Sequence, residues 1–124
     1  MAEVIDQQLT DTLRALRQAS PYVVGAAVVT ADGFVVASDL PDEQYEKKVT
    51  VMAMAMLTMG QEATGEMGSS QVERVLVESK DNYMVMVNAG PGTVLATVSS
   101  KEAVLGLLFV AVRQAAARVS ELLY

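Results

Sequence analysis

From Val4 to Gln18 the apolar residues Ile5, Leu9, Leu13 and Leu16 recur at steps of four, four and three, with polar residues between them. That period predicts an amphipathic helix. Ser20-Pro21 ends it, since the residue before a proline is pushed out of the α region. Two short β-branched runs follow, Tyr22–Val29 and Phe34–Ser38, around Thr30-Ala31-Asp32-Gly33. Asp-Gly between such runs predicts a hairpin, because a tight turn needs the positive φ that glycine tolerates. The stretch from Asp39 to Glu43 then predicts a helix start, with Pro41 in the first turn and Asp42 and Glu43 at the positive end of the helix dipole. This second helix runs to about Glu66.

Three further strands are predicted at Val72–Ser79, Asn82–Ala89 and Thr93–Ser99, linked by turns at Lys80-Asp81 and Gly90-Pro91-Gly92. Links this short require antiparallel neighbours, since a parallel crossover needs about a dozen residues or more. Ser99-Ser100-Lys101-Glu102 has the S-x-x-E form of a capping box. It predicts the start of a third helix, whose residues Val104, Leu108, Ala111, Ala115, Val119 and Leu122 keep helical spacing to the end. The expected class is α+β, ordered α-β-β-α-β-β-β-α: a five-stranded antiparallel sheet with helices packed on it, in one domain spanning residues 1–124.

The second helix departs from simple amphipathicity. No charge lies between Lys48 and Glu62, and Met52, Met54, Met56 and Met59 fall within that stretch. Met52 to Met56 alternates in size but not in polarity, so period two gives no support for a strand, and Met, Ala and Leu are good helix formers. On a helix, Tyr45, Val49, Met52, Met56, Met59 and Ala63 form one continuous stripe. Val51, Met54, Ala55 and Thr58 form a second, with Leu57 on its flank. A helix lying on one sheet needs about one such stripe, and one that is apolar nearly all round must be buried nearly all round. The other two helices each need their apolar face for the sheet. The surplus stripe therefore predicts self-association, most simply as a symmetric homodimer.

Composition agrees. Hydrophobic residues make up 52% of the chain and charged residues only 19%, so less surface is marked as solvent-facing than a monomer of this length normally carries. The net charge of −6 repels phosphate backbones, and the nine basic residues are scattered apart from Lys47-Lys48. Nucleic-acid binding and adhesion to anionic lipid are disfavoured. The first residues lack the basic start and apolar core of a signal peptide, and nothing approaches the roughly 20 apolar residues of a membrane span. The expected location is cytoplasmic, with no insertion into a membrane.

Candidate chemistry is sparse. With no cysteine and no histidine, thiolate metal sites, cysteine nucleophiles and the commonest general base are excluded. Gly90-Pro91-Gly92-Thr93 lacks the Gly-Lys-Ser/Thr ending of a phosphate loop and joins two strands, so it reads as a hairpin turn. Asp39, Asp42, Glu43 and Glu46 could be taken for a divalent-metal cluster, but dipole-matched charges at a helix start explain them. Ser99 and Ser100 have no histidine to activate them and read as a cap. Glu73 and Glu78 face opposite sides of a strand. Arg14, Arg17, Arg74, Arg113 and Arg118 lie on predicted helices or a strand, not in loops. No enzyme constellation, cofactor site or metal site is expected.

Taken together, the element order, the hairpin VVGAAVVTADGFVVAS, the long apolar helix after DLPDE, the strand VERVLVE and the segment VLATVSSKEAVLGLL resemble the roadblock, or dynein light chain seven, family. Asp32-Gly33 and Leu105-Gly106 are the sharpest points of the likeness, which spans nearly the whole chain and has an MglB-like, prokaryotic character. The resemblance implies an α/β/α, profilin-like sandwich, joined as a homodimer or a heterodimer through the central helix and third strand. It would place Tyr45, Val49, Met52, Met56, Met59, Ala63, Val72, Arg74 and Leu76 at the dimer interface. It further implies a platform for a Ras-like small GTPase, in some members an activator of GTP hydrolysis that repositions the GTPase's own switch loops instead of inserting an arginine. Two other readings stand beside it. One is a small-ligand sensor of the profilin, PAS and GAF group, which needs a pocket with convergent polar groups. The other is a structural subunit with no GTPase partner.

Overall fold

The computed structural model describes residues 2–68 and 71–124. Its elements follow the expected order: α1 (Ala2–Ala19), β1 (Val23–Thr30), β2 (Val35–Asp39), α2 (Glu43–Glu66), β3 (Arg74–Glu78), β4 (Asn82–Asn88), β5 (Thr93–Ser100) and α3 (Leu105–Leu123). The strands form one antiparallel sheet in the order β2-β1-β5-β4-β3. The three expected hairpins are present. They are welded into one sheet by the long-range pairing of β1 with β5, from Val23 opposite Ser99 to Thr30 opposite Thr93.

Alternation along the strands divides the core into two layers. On one face Ala26, Val28, Val85 and Leu95 pack with Leu9, Leu13 and Leu16 of α1 and with Leu108, Val112, Ala116 and Val119 of α3. On the other, Ala27, Val29, Met84, Met86, Val94, Ala96 and Val98 pack against α2 alone. The architecture is an α/β/α sandwich with two helices on one side and a single helix on the other. Helices α1 and α3 pack on each other, whereas among the described residues α2 lies on its face of the sheet without a neighbouring helix.

Two local expectations are corrected. Ser99 and Ser100 do not cap the third helix. They are the last residues of β5, with Ser99 opposite both Val23 and Tyr83, and α3 begins at Leu105 after Val104, which makes no side-chain cap bond. Sheet pairing on two sides satisfies more backbone groups than a local cap can, and it is reinforced by Asn82 Nδ2 donating to Ser99 O at 3.2 Å. Pro41 also lies outside α2. Asp42 is the N-cap, its carboxylate accepting from Tyr45 N–H at 2.8 Å.

Candidate interaction surface

The outward face of α2 follows from what the helix presents to the sheet. Val49 (1% exposed), Thr50 and Ala53 are buried, Met54, Met56 and Leu57 are half-buried over the same cluster, and Gly60 and Thr64 continue that side. Small residues set this rotation. A Cβ on Gly60 would stand 3.2 Å from Val75 Cγ2 and 3.3 Å from Val72 Cγ2, so the glycine lets the helix settle closely on β3. Close approach gains more packing than turning a methionine row inward would. The bulky row is left outside: Val51 is 68% exposed, Met52 46% and Met59 69%, alongside Ala55, Thr58 and Ala63.

The nine residues expected at an interface therefore divide. Met52, Met59 and Ala63 on α2 and Arg74 and Leu76 on β3 are accessible. Tyr45, Met56 and Val72 are half-buried. Val49 lies inside its own protomer's core. Val51 and Val77 are accessible members that the expected set did not include, although Val51 already stood in the second stripe. The surface joins the open face of α2 to β3, which is an outer strand of the sheet.

Arg74 and Glu78 bound this surface on β3. The Arg74 guanidinium stacks over the Phe109 ring at 3.9 Å from its centroid. Glu78 forms an ion pair with Lys101, whose ammonium also lies 4.8 Å from the Tyr83 ring centroid. Among the described residues Arg74 has no carboxylate partner of its own.

The other candidate sites resolve into structural roles. Asp39 accepts from Arg17 Nε at 2.7 Å, and this bond and the carboxylate's charge raise the Arg17 pKa above its ordinary value. With Asp42 capping α2, the acidic cluster is divided between two tasks, and the described residues hold no group of three or more carboxylates placed to bind a metal. Gly90-Pro91-Gly92 is a turn roofed by Tyr124, whose hydroxyl donates to Pro91 O at 3.0 Å and shares a hydrogen bond of 2.5 Å with Thr93 Oγ1. A cleft of about 250 Å³ between the end of α1 and the start of α3 is lined by Ala19, Pro21, Val104, Leu107, Leu108 and Ala111 with Ser20 and Tyr22. So apolar a lining has little with which to orient a polar ligand. No helix among the described residues is long and apolar enough to cross a membrane.

Comparison with known proteins places this geometry. The family model described as the Roadblock/LC7 domain matches residues 9–99. The protein MJ0714 of Methanocaldococcus jannaschii is 32% identical over 97 residues, which span 78% of this chain and 81% of that protein. Among solved structures, a Roadblock/LC7 domain from Streptomyces avermitilis superimposes with a TM-score of 0.87 at 23% identity, covering 92% of this chain and 96% of the other. The gliding protein MglB of Thermus thermophilus superimposes with a TM-score of 0.85 at 14% identity, covering 95% and 90%. At these identities the structural likeness speaks for the fold.

Proposed function

We infer from its place in the Roadblock/LC7 family, to which this chain belongs, that it is a dimeric regulatory module that binds a Ras-like small GTPase and modulates its GTP hydrolysis. The observation that carries the dimeric half is the exposure of Val51, Met52 and Met59 on the open face of α2 and of Leu76 and Val77 on the outer strand β3. Burying what these five side chains expose would contribute about 4–8 kcal/mol per protomer before the costs of association. The GTPase half rests on what the roadblock resemblance implies and is supported by the likeness to MglB. The five arginines that an activator could use all lie on helices or a strand. The chain therefore acts by holding the GTPase's switch segments and not by lending a catalytic cation.

The test is to load the source cell's small GTPases with GTP, pass them over the immobilised protein, and follow phosphate release with increasing amounts of the chain. Retention of a Ras-like protein with altered hydrolysis is the expected result. Retention without a change in rate would leave a docking platform. If no GTPase were retained in either nucleotide state, the regulatory reading would fall and the structural-subunit reading would replace it.

A further inference from the structure

The five arginines of this chain fall into two groups. Arg14, Arg17 and Arg118 each form an ion pair, with Asp11, Asp39 and Glu121 respectively. Arg74 and Arg113 have no carboxylate within ion-pair reach among the described residues, although the chain holds 15 acidic residues against 9 basic ones. These two arginines line the same cleft, of about 320 Å³, with Val72, Val87 and Phe109 beside them. Thr64 and Glu73 complete its lining.

The fold brings the pair together from separate elements. Arg74 opens β3 and lies opposite Val87 of β4, on the side of the sheet that α1 and α3 cover. Its guanidinium stacks over the Phe109 ring of α3, 3.9 Å from the centroid. Phe109 and Arg113 stand four residues apart on that helix and so share one face. The ring holds the flat face of the Arg74 guanidinium and leaves its in-plane N–H donors open. Arg74 is thus drawn onto its own protomer's α3, away from the side of the sheet on which α2 lies. Two like charges in one concave site repel each other, and Glu73 stands beyond ion-pair reach of both. An anion between the guanidinium groups would remove that repulsion.

We propose that this cleft binds a small organic phosphate monoester, with its phosphate between Arg74 and Arg113 and its carbon skeleton against Val72 and Val87. One guanidinium fork suffices for the two oxygens of a carboxylate. Two forks match the three terminal oxygens and nearly two negative charges of a phosphate monoester. The Thr64 hydroxyl already donates within α2, to Gly60 O and Gln61 O, so Thr64 and Glu73 both offer acceptors. Acceptors suit the hydroxyl groups of a polyol or sugar phosphate, and the Glu73 charge disfavours a second phosphate. The volume is near the lower end for small-molecule sites. Every residue of the site comes from one protomer, so it stands apart from both the dimeric and the GTPase readings.

The test is titration of the full chain with glycerol phosphate, followed by calorimetry and by NMR shifts of backbone amides and arginine side chains. Saturable binding with a Kd of about 1 mM or tighter is expected, with the shifts centred on Arg74, Val87, Phe109 and Arg113. Inorganic phosphate should shift the same residues, and glycerol should shift none of them. Arg74→Gln and Arg113→Gln, each shown to be folded by circular dichroism, should weaken binding about tenfold or more. Arg14→Gln removes the same charge from an exposed pair on α1 and should stay within about twofold of the parent. An equal loss in Arg14→Gln would reduce the effect to net charge and overturn the site. So would shifts centred elsewhere, or the failure of both phosphate probes to shift Arg74 and Arg113 by about 10 mM.

Discussion

Replacing Met52 and Met59 together with glutamate should convert the proposed dimer into folded monomers. The two side chains are 46% and 69% exposed in the protomer, so each copy presents slightly more than one whole methionine side chain to a partner. At about 1.5–3 kcal/mol per fully buried side chain, losing this contact from both copies removes about 3–7 kcal/mol, before the cost of bringing four carboxylates into an apolar seam. Even the lower figure weakens association more than about a hundredfold. The fold should hardly notice: the positions are accessible, methionine and glutamate have similar helix propensities, and surface changes of this kind stay within about 0.5 kcal/mol. Light scattering should report the 13.2 kDa protomer in place of a particle of twice that mass, with an unchanged helical circular dichroism signal. A folded double variant that remained dimeric at micromolar concentration would refute the placement of the interface on this face. Met56 is avoided because it is half-buried over its own sheet, and a charge there would confuse unfolding with dissociation.

Thr97 is fully buried and its hydroxyl has no hydrogen-bond partner among the described residues; Thr97→Val should raise stability by about 1 kcal/mol, read as a higher midpoint in urea at fixed protein concentration. Gly60→Leu drives a side chain into Val72 and Val75, and should cost about 1–3 kcal/mol by lifting α2 from β3; a neutral result would show that the helix is not held by this close approach. Gly90 has φ +127°, and a Cβ there would meet the Tyr124 ring at 2.3 Å, so Gly90→Ala should destabilise through both backbone strain and displacement of the ring. In a Tyr124→Ala background only the strain remains, and the same substitution should cost measurably less.

What was legible in the sequence follows the range of the interactions concerned. Helical and strand periods, the Asp32-Gly33 turn and the short links between strands are local, and they suffice for the eight elements in order and for three hairpins. Ends shifted by a residue or two where tertiary contacts extended an element, as Thr30 and Asp39 joined their strands. Ser99 and Ser100 show the limit most clearly. Their local pattern is a sound helix cap, but two flanking strands offer those backbone groups better partners than a cap does. Nothing near them in the chain announces the pairing of β1 with β5 that supplies one of those partners.

The candidate surface divides in the same way. An uncharged run between Lys48 and Glu62 on a helix lying over one sheet is enough to imply more apolar surface than one domain can cover. Together with an acidic chain lacking cysteine and histidine, it pointed to an interaction module. Which residues face outward was beyond the periodicity, because stripes counted by hydrophobicity favour large side chains, and the packing of α2 was decided by small ones. Ala53 and Gly60 let the helix approach the sheet, carrying Val49 inward and leaving Val51, Met52 and Met59 outside. That α2 has an apolar face to spare is written in the order of its residues. Which face it spares is set by the folded molecule, because only the shape of the sheet beneath the helix selects the rotation that packs most closely.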